Sequence, residues 1–192
     1  MRRALRAQRR ALSRWMRQRA ARRIVQIAVR QRWYQRARSL AAYIANDGEI
    51  DPAPLLRAAR AAGKRIFLPR LRQRQLEFVA YRSGVPLRRN RYKIPEPIGA
   101  AVAVRQVDVV CMPLVGFDRH GRRLGMGGGF YDRTFAGRAR KNWFGRRSPL
   151  LIGLAYACQQ VVQVPHEHWD VQLAGIVTER EWMRALVQRR CC

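Results

Sequence analysis

The stretch Gly116-Phe117-Asp118-Arg119-His120-Gly121-Arg122-Arg123-Leu124-Gly125-Met126-Gly127-Gly128-Gly129-Phe130-Tyr131-Asp132-Arg133 reads as an anion cradle. It follows an apolar run, Val107 to Val115, with the character of a buried strand. Glycines at this point let backbone N–H groups approach a ligand where any Cβ would obstruct them. Phe130, Tyr131 and Asp132 then open a helix, and a helix N-terminus attracts phosphate. Neither common nucleotide motif fits. The Gly-Lys-Ser/Thr ending of a Walker loop is missing, and Phe130 stands where a dinucleotide fingerprint needs its third glycine. On these residues alone, a phosphate site and a plain tight turn both stay open.

Working outward, residues 4 to 36 carry apolar side chains (Leu5, Leu12, Trp15, Met16, Ile24, Ile27, Ala28, Tyr34) at helical spacing, with arginine on the other face. One long helix is expected there. Ser39 to Ala45 reads as a short buried strand broken by Asn46-Asp47-Gly48. Asp51 as N-cap and Pro52 at the first helical position start a helix that Gly63 stops. Strands are expected at Arg65 to Pro69, Leu76 to Tyr81, Val107 to Leu114, Leu150 to Tyr156 and Gly175 to Val177, with a helical stretch from Gly129 to about Arg138. Gly137 to Ser148 reads as a basic surface loop. This alternation predicts an α/β fold, a three-layer sandwich around a mixed, largely parallel sheet. In such sheets ligands gather at the carboxyl ends of the strands, where the glycine stretch falls.

At 192 residues the chain is sized for one domain, 1–192. No apolar run approaches the roughly 20 residues that span a bilayer, and no secretory signal is evident, so no membrane association and a cytoplasmic location are expected. Cys111, Cys158, Cys191 and Cys192 form no Cys-x-x-Cys pair, which supports neither a disulfide framework nor a thiolate zinc site. The formal charge of +28 demands its own explanation. A field of that size gives non-specific affinity for nucleic acid through counterion release. Yet the charge is nearly all arginine and is spread over the whole chain, with no zinc-finger or RNP-like pattern, which favours a solvated surface bias.

Arg-Leu-Gly-x-Gly-Gly-Gly-Phe-Tyr-Asp-Arg, preceded by Pro113-Leu114-Val115-Gly116-Phe117-Asp118, closely resembles the signature of the 5-formyltetrahydrofolate cyclo-ligase family, also called 5,10-methenyltetrahydrofolate synthetases. Further landmarks occur in the family's order. They are the Arg-rich first helix, Asn46 to Asp51, Gly63 to Arg70, Lys93-Ile94-Pro95-Glu96-Pro97, Ile152 to Tyr156, Gln159, Val164 to Asp170, and Ile176 to Glu179.

The resemblance implies a single-domain enzyme that couples ATP hydrolysis to cyclisation of 5-formyltetrahydrofolate into 5,10-methenyltetrahydrofolate, with ADP and phosphate released. It implies phosphorylation of the formyl oxygen and attack by N10, so positioning and charge neutralisation replace a nucleophilic side chain. ATP is expected against Arg123, Leu124, Gly125, Met126, Gly127, Gly128, Gly129, Phe130 and Tyr131, with Arg2, Arg3 and Arg6 of the first helix as further contacts. Arg123, Tyr131 and Asp132 are the expected catalytic residues, and Asp132 and Asp170 the expected Mg2+ ligands. Reduced folate is expected at Ile44, Glu49, Tyr92, Phe130 and Tyr131, where a carboxylate accepts from pterin nitrogens and an aromatic ring stacks. Two other readings remain: an arginine-rich nucleic-acid-binding protein, and a catalytically silent homologue that binds folate or nucleotide.

Overall fold

The computed structural model describes residues 1–82, 84–136 and 148–186. The expected single helix over 4–36 is instead three: α1 (Arg2–Ala11), α2 (Arg14–Ala28) and α3 (Arg32–Arg36). The first break has a local cause. Leu12 is extended, and the Ser13 side chain caps α2 by accepting from the Met16 amide at 3.2 Å. Apolar periodicity runs straight through this point and hides the cap. Strand β1 (Ser39–Ala41) is wholly buried and shorter than the expected Ser39 to Ala45, because the chain leaves the sheet at Ala42 to enter the Asn46–Glu49 turn.

Helix α4 (Ala53–Ala61) starts one residue later than expected, with Pro52 and not Asp51 as its N-cap because the Pro52 carbonyl accepts the first helical bond from Leu56; Asp51 Oδ1 accepts from the Ala53 amide, and the helix ends before Gly63, whose φ of +73° suits glycine. Next come β2 (Arg65–Arg72), β3 (Gln75–Ala80), β4 (Leu87–Arg89), β5 (Pro95–Pro97), β6 (Ala101–Val102), β7 (Val109–Pro113), β8 (Gly116–Phe117) and β9 (Arg123–Leu124). Helix α5 (Phe130–Phe135), β10 (Leu150–Leu154), β11 (Gly175–Val177) and β12 (Trp182–Arg184) complete the order. Helix α5 ends before the expected Arg138; most of the basic stretch from Gly137, together with Cys191 and Cys192, lies outside the described residues.

Eight strands form one mixed sheet in the order β12-β11-β10-β7-β1-β2-β3-β6. Its five central strands, β11 to β2, run parallel, which is the mixed, largely parallel sheet expected, and the edge strands are antiparallel. Strand β7 shows why the apolar run is continuous. Val109 and Cys111 face a core that includes Ile24 of α2, Tyr34 of α3 and Leu55 of α4. Val110 and Met112 face a second core with Phe67, Phe78 and Phe135 of α5. A strand buried on both faces has no polar alternation to show. Residues 42–50, 114–133 and 155–174 all leave the carboxyl ends of parallel strands, so they collect at one edge.

Ile24 is 1% exposed and fills the first core. Ile24→Ala is expected to cost about 2–5 kcal/mol, read as a lowered urea midpoint with unchanged m-value.

Candidate active site

Helix α1 lies across the carboxyl edge, held by Leu5 packing on Val115, Leu124 and Val164. The approach is close: a Cβ on Gly116 would sit 2.6 Å from Leu5 Cδ1. Four residues on from Leu5, on the same helix face, Arg9 is completely buried. Its guanidinium donates to the Asp47 carbonyl (2.9 Å), Asp47 Oδ2 (2.8 Å) and the Leu114 carbonyl (3.2 Å), and Nη2 lies 3.8 Å from Met126 Sδ. Arg9 therefore ties α1 to the end of β7, to the 46–49 turn and to the glycine stretch. Sequence reasoning passed over it among many arginines; its i, i+4 relation to Leu5 was the available signal.

The 46–49 turn places two carboxylates in contrasting settings. Asp47 (φ +53°) and Gly48 (φ +75°) occupy the left-handed region, and the Glu49 amide donates to the Asn46 carbonyl. Burial raises the Asp47 carboxyl, but hydrogen bonds from Arg6, Arg10 and Arg9 outweigh it and hold the pKa at about 2. Burial pushes Glu49 up to about 7, against a hydrogen bond from the Asn46 amide and an Arg9 guanidinium 3.8 Å away. Tyr131 and Tyr43 are both raised by burial and next by the Glu49 charge.

The glycine stretch is a hairpin, β8 paired with β9, followed by an open loop. Asp118, fully buried, closes the hairpin by accepting from the amides of His120, Arg122 and Val164. In the loop the Gly125 carbonyl accepts from Arg2 Nε at 2.8 Å and the Gly128 carbonyl from Arg133. The amides of Met126, Gly127, Gly128 and Gly129 donate to no acceptor among the described residues. Gly127 has φ +96°, and a Cβ on Gly128 would lie 2.7 Å from the Phe130 ring. Four consecutive free amides, with neighbouring carbonyls tied back by arginine, make a concavity suited to an anion. Helix α5, only six residues long, adds little dipole of its own.

Beside the loop, Arg123 Nη2 donates to Asp132 Oδ1 at 2.5 Å, and the Val171 amide donates to the same oxygen at 3.2 Å. Arg123 Nε is buried without a partner, and Asp132 Oδ2 accepts nothing from the described residues. Asp170, next to Val171, accepts from the Glu167 amide through Oδ2 alone. Among the described residues, no group of three or more His, Cys, Asp or Glu is placed to hold a metal, so a cation here would rest on two carboxylates and ligand oxygens.

One cavity of about 1280 Å³ brings these groups together. It is larger than the roughly 300–1,000 Å³ of a single-ligand pocket. Its walls include Arg2, Arg3, Ile44, Glu49, Tyr92, every residue from Arg123 to Asp132, and Asp170. Arg6 alone of the expected site residues does not line it; its Nε donates to Asp47 at 2.9 Å. At the mouth, the rings of Tyr92 and Phe130 meet edge to face at 5.9 Å.

Fold and site define a class: an α/β protein with one large cavity, lined by free amides, arginines and aromatic rings, at the carboxyl ends of its parallel strands. Within that class the chain belongs to the 5-formyltetrahydrofolate cyclo-ligase family, whose family model matches residues 1–179. It is 39% identical to the 5-formyltetrahydrofolate cyclo-ligase of Haemophilus influenzae over 149 residues, 74% of this chain and 76% of that one. It is 40% identical to the enzyme of that name from Escherichia coli K12 over 148 residues, 74% and 78% of the two chains. The solved structure of the Aquifex aeolicus 5,10-methenyltetrahydrofolate synthetase superposes with a TM-score of 0.80 at 26% identity, over 99% of this chain and 96% of that one.

Glu49 and Asp47 imply opposite pH dependences. A carboxyl raised in the folded state stabilises fully below its unfolded pKa, and that contribution is lost as pH rises through about 7. A depressed one stabilises above its unfolded pKa and is lost as pH falls toward about 2. Glu49→Gln is therefore expected to raise stability at pH 8 relative to the parent, by on the order of 2 kcal/mol, and to change it little at pH 4.5. Urea unfolding of both proteins at the two pH values measures this.

Proposed function

We propose that this chain catalyses the ATP-dependent conversion of 5-formyltetrahydrofolate to 5,10-methenyltetrahydrofolate, acting as one domain. The observation that carries the reading is the row of free amides at Met126–Gly129, in one cavity with the buried Glu49 carboxyl and the Tyr131 ring. Membership in the cyclo-ligase family supports the same conclusion.

In this reading the amides of Met126 to Gly129 hold the ATP phosphates, and the unpartnered Arg123 Nε adds a charged donor. Arg2 and Arg3 extend the positive wall from α1, while Arg6 acts through Asp47. The pterin lies between Ile44, Tyr92, Phe130 and Tyr131, with Glu49 accepting from its ring N–H groups. The formyl oxygen attacks the γ-phosphorus, and ADP leaves with the electrons of the broken P–O bond. N10 then attacks the formyl carbon and loses its proton, and inorganic phosphate departs with the C–O electrons to leave the methenyl bridge.

The chain's part is to align these atoms and exclude water, so its rate advantage is one of orientation and electrostatics. Asp132 Oδ2 and Asp170, each with free acceptor capacity, fit a magnesium ion. Bound there, it would neutralise charge on the transferred phosphoryl group. The raised Glu49 pKa keeps that carboxyl partly protonated near neutrality, so folate affinity is expected to weaken as pH falls through about 7. A cytoplasmic setting and salt-sensitive, non-specific affinity for nucleic acid belong to the same proposal.

The test is spectrophotometric. Protein with ATP, magnesium and 5-formyltetrahydrofolate is expected to yield the methenyl chromophore, and omission of ATP to abolish it. Asp132→Asn should lower kcat by about 10²-fold or more, and Gly128→Val should raise the KM for ATP by crowding Phe130. Nucleotide binding without methenyl formation rejects the activity and leaves a silent homologue.

A further inference from the structure

The arginine excess is unevenly disposed over the folded chain. Asp47 is the first carboxylate of the sequence, and fourteen arginines precede it. The helical layer packed on the core with Ile24, Tyr34 and Leu55 concentrates the imbalance. Helix α2 holds five arginines, α3 two and α4 two, and none of the three holds an aspartate or glutamate. Ion pairs among the described residues engage Arg6, Arg9, Arg10, Arg70, Arg72 and Arg123, and no arginine of this layer. Along α2, Trp15, Arg19, Arg23 and Gln26 follow one another at helical spacing and are all exposed, while Ala20, Ile24 and Ala28 are buried on the other side. Trp15 is 63% exposed, and the Arg19 guanidinium lies over its ring at 5.1 Å from the centroid. Arg30 past the helix end, and Arg32 and Arg36 on α3, are exposed as well.

We infer that this face of α2 and α3 is a docking surface for single-stranded nucleic acid, with Trp15 stacking on a base and Arg19, Arg23, Arg30, Arg32 and Arg36 meeting the phosphates. A bare indole beside a guanidinium is a base-stacking platform, and arginines without carboxylate partners supply the sequence-independent attraction. A duplex keeps its bases stacked internally and offers Trp15 none. An anionic membrane fits less well, because the apolar side of α2 is already buried in the core and leaves only Trp15 and Met16 as large exposed apolar groups on that helix. The inference rests on the nucleic-acid affinity proposed above and gives it a location. The cyclisation reading is not involved, since none of these six residues lines the site cavity.

Fluorescence anisotropy with a labelled oligouridylate of about 16 nucleotides, the upper site size of such platforms, tests this at near-physiological salt. Trp15→Ala, which leaves the net charge unchanged, is expected to weaken binding about 5- to 100-fold, the worth of one stacked base. Arg19→Ala/Arg23→Ala should flatten the plot of log K against log salt by about 1.4, the loss of two phosphate contacts on a single strand. Arg88→Ala/Arg105→Ala removes two exposed arginines outside this layer and should leave that slope unchanged. Circular dichroism confirms the fold of each variant. A duplex with the same number of phosphates should bind about fivefold more weakly, for want of the stacked base. If Trp15→Ala binds like the parent, or both double variants flatten the slope equally, the affinity belongs to the whole charge and the docking surface is refuted. Absence of binding by the parent protein refutes the surface and the general affinity together. Tighter binding to phosphatidylglycerol vesicles than to the oligonucleotide also overturns the inference, by assigning the face to a membrane.

Discussion

A guanidinium with no exposure to solvent organises this site. Burying a charge is costly unless every donor finds an acceptor, and Arg9 meets that condition only when three separate segments are in place. The Asp47 turn must fold back, the chain leaving β7 must present the Leu114 carbonyl, and α1 must lie on the hairpin. Because the Leu114 carbonyl also accepts from Gln159, the same joint reaches the segment after β10. Of the two carboxylates, Arg9 hydrogen-bonds Asp47 and gives Glu49 only a distant attraction. Hydrogen bonds from Arg6, Arg10 and Arg9 hold Asp47 at about 2, whereas burial lifts Glu49 to about 7 against the Arg9 charge. One is a fixed structural anion, and the other lines the cavity and titrates near neutrality.

The sheet supplies the other constraint. Parallel strands covered on both faces send their following segments to a common edge, so residues as distant in the chain as Glu49, Arg123 and Asp170 share one cavity. At that edge the glycine stretch carries amides with no partner among the described residues, and the Gly125 and Gly128 carbonyls are secured by Arg2 and Arg133. Arginine, present in such excess, is used here in three ways: as a buried joint at Arg9, as a tether for carbonyls, and as charge lining the cavity without a carboxylate partner among the described residues.

Much of this was legible from residue order. The run Val107 to Val115 and the glycines behind it located the central strand and the loop, because two-sided burial and small side chains leave a plain mark on composition. Glu49, Tyr92 and Asp170 were placed through family resemblance; the structure brings them to one wall system, which spacing alone could not reveal. What was not legible depends on tertiary context. The α1–α2 break is set by an extended Leu12 and a serine cap inside an unbroken apolar period. The short strands β6, β8, β9 and β12 exist because neighbours pair with them. Arg9 looks like its neighbours until Leu5 fixes which helix face turns inward.

The claim that main-chain amides of the glycine loop hold the nucleotide phosphates is open to direct measurement by amide NMR during an ATP titration with magnesium present. The resonances of Met126, Gly127, Gly128 and Gly129 should shift downfield together with one saturating affinity, and their hydrogen exchange should slow. If those four amides stay in place while changes scatter over surface arginines, the phosphates bind elsewhere, and the loop is only a tight turn.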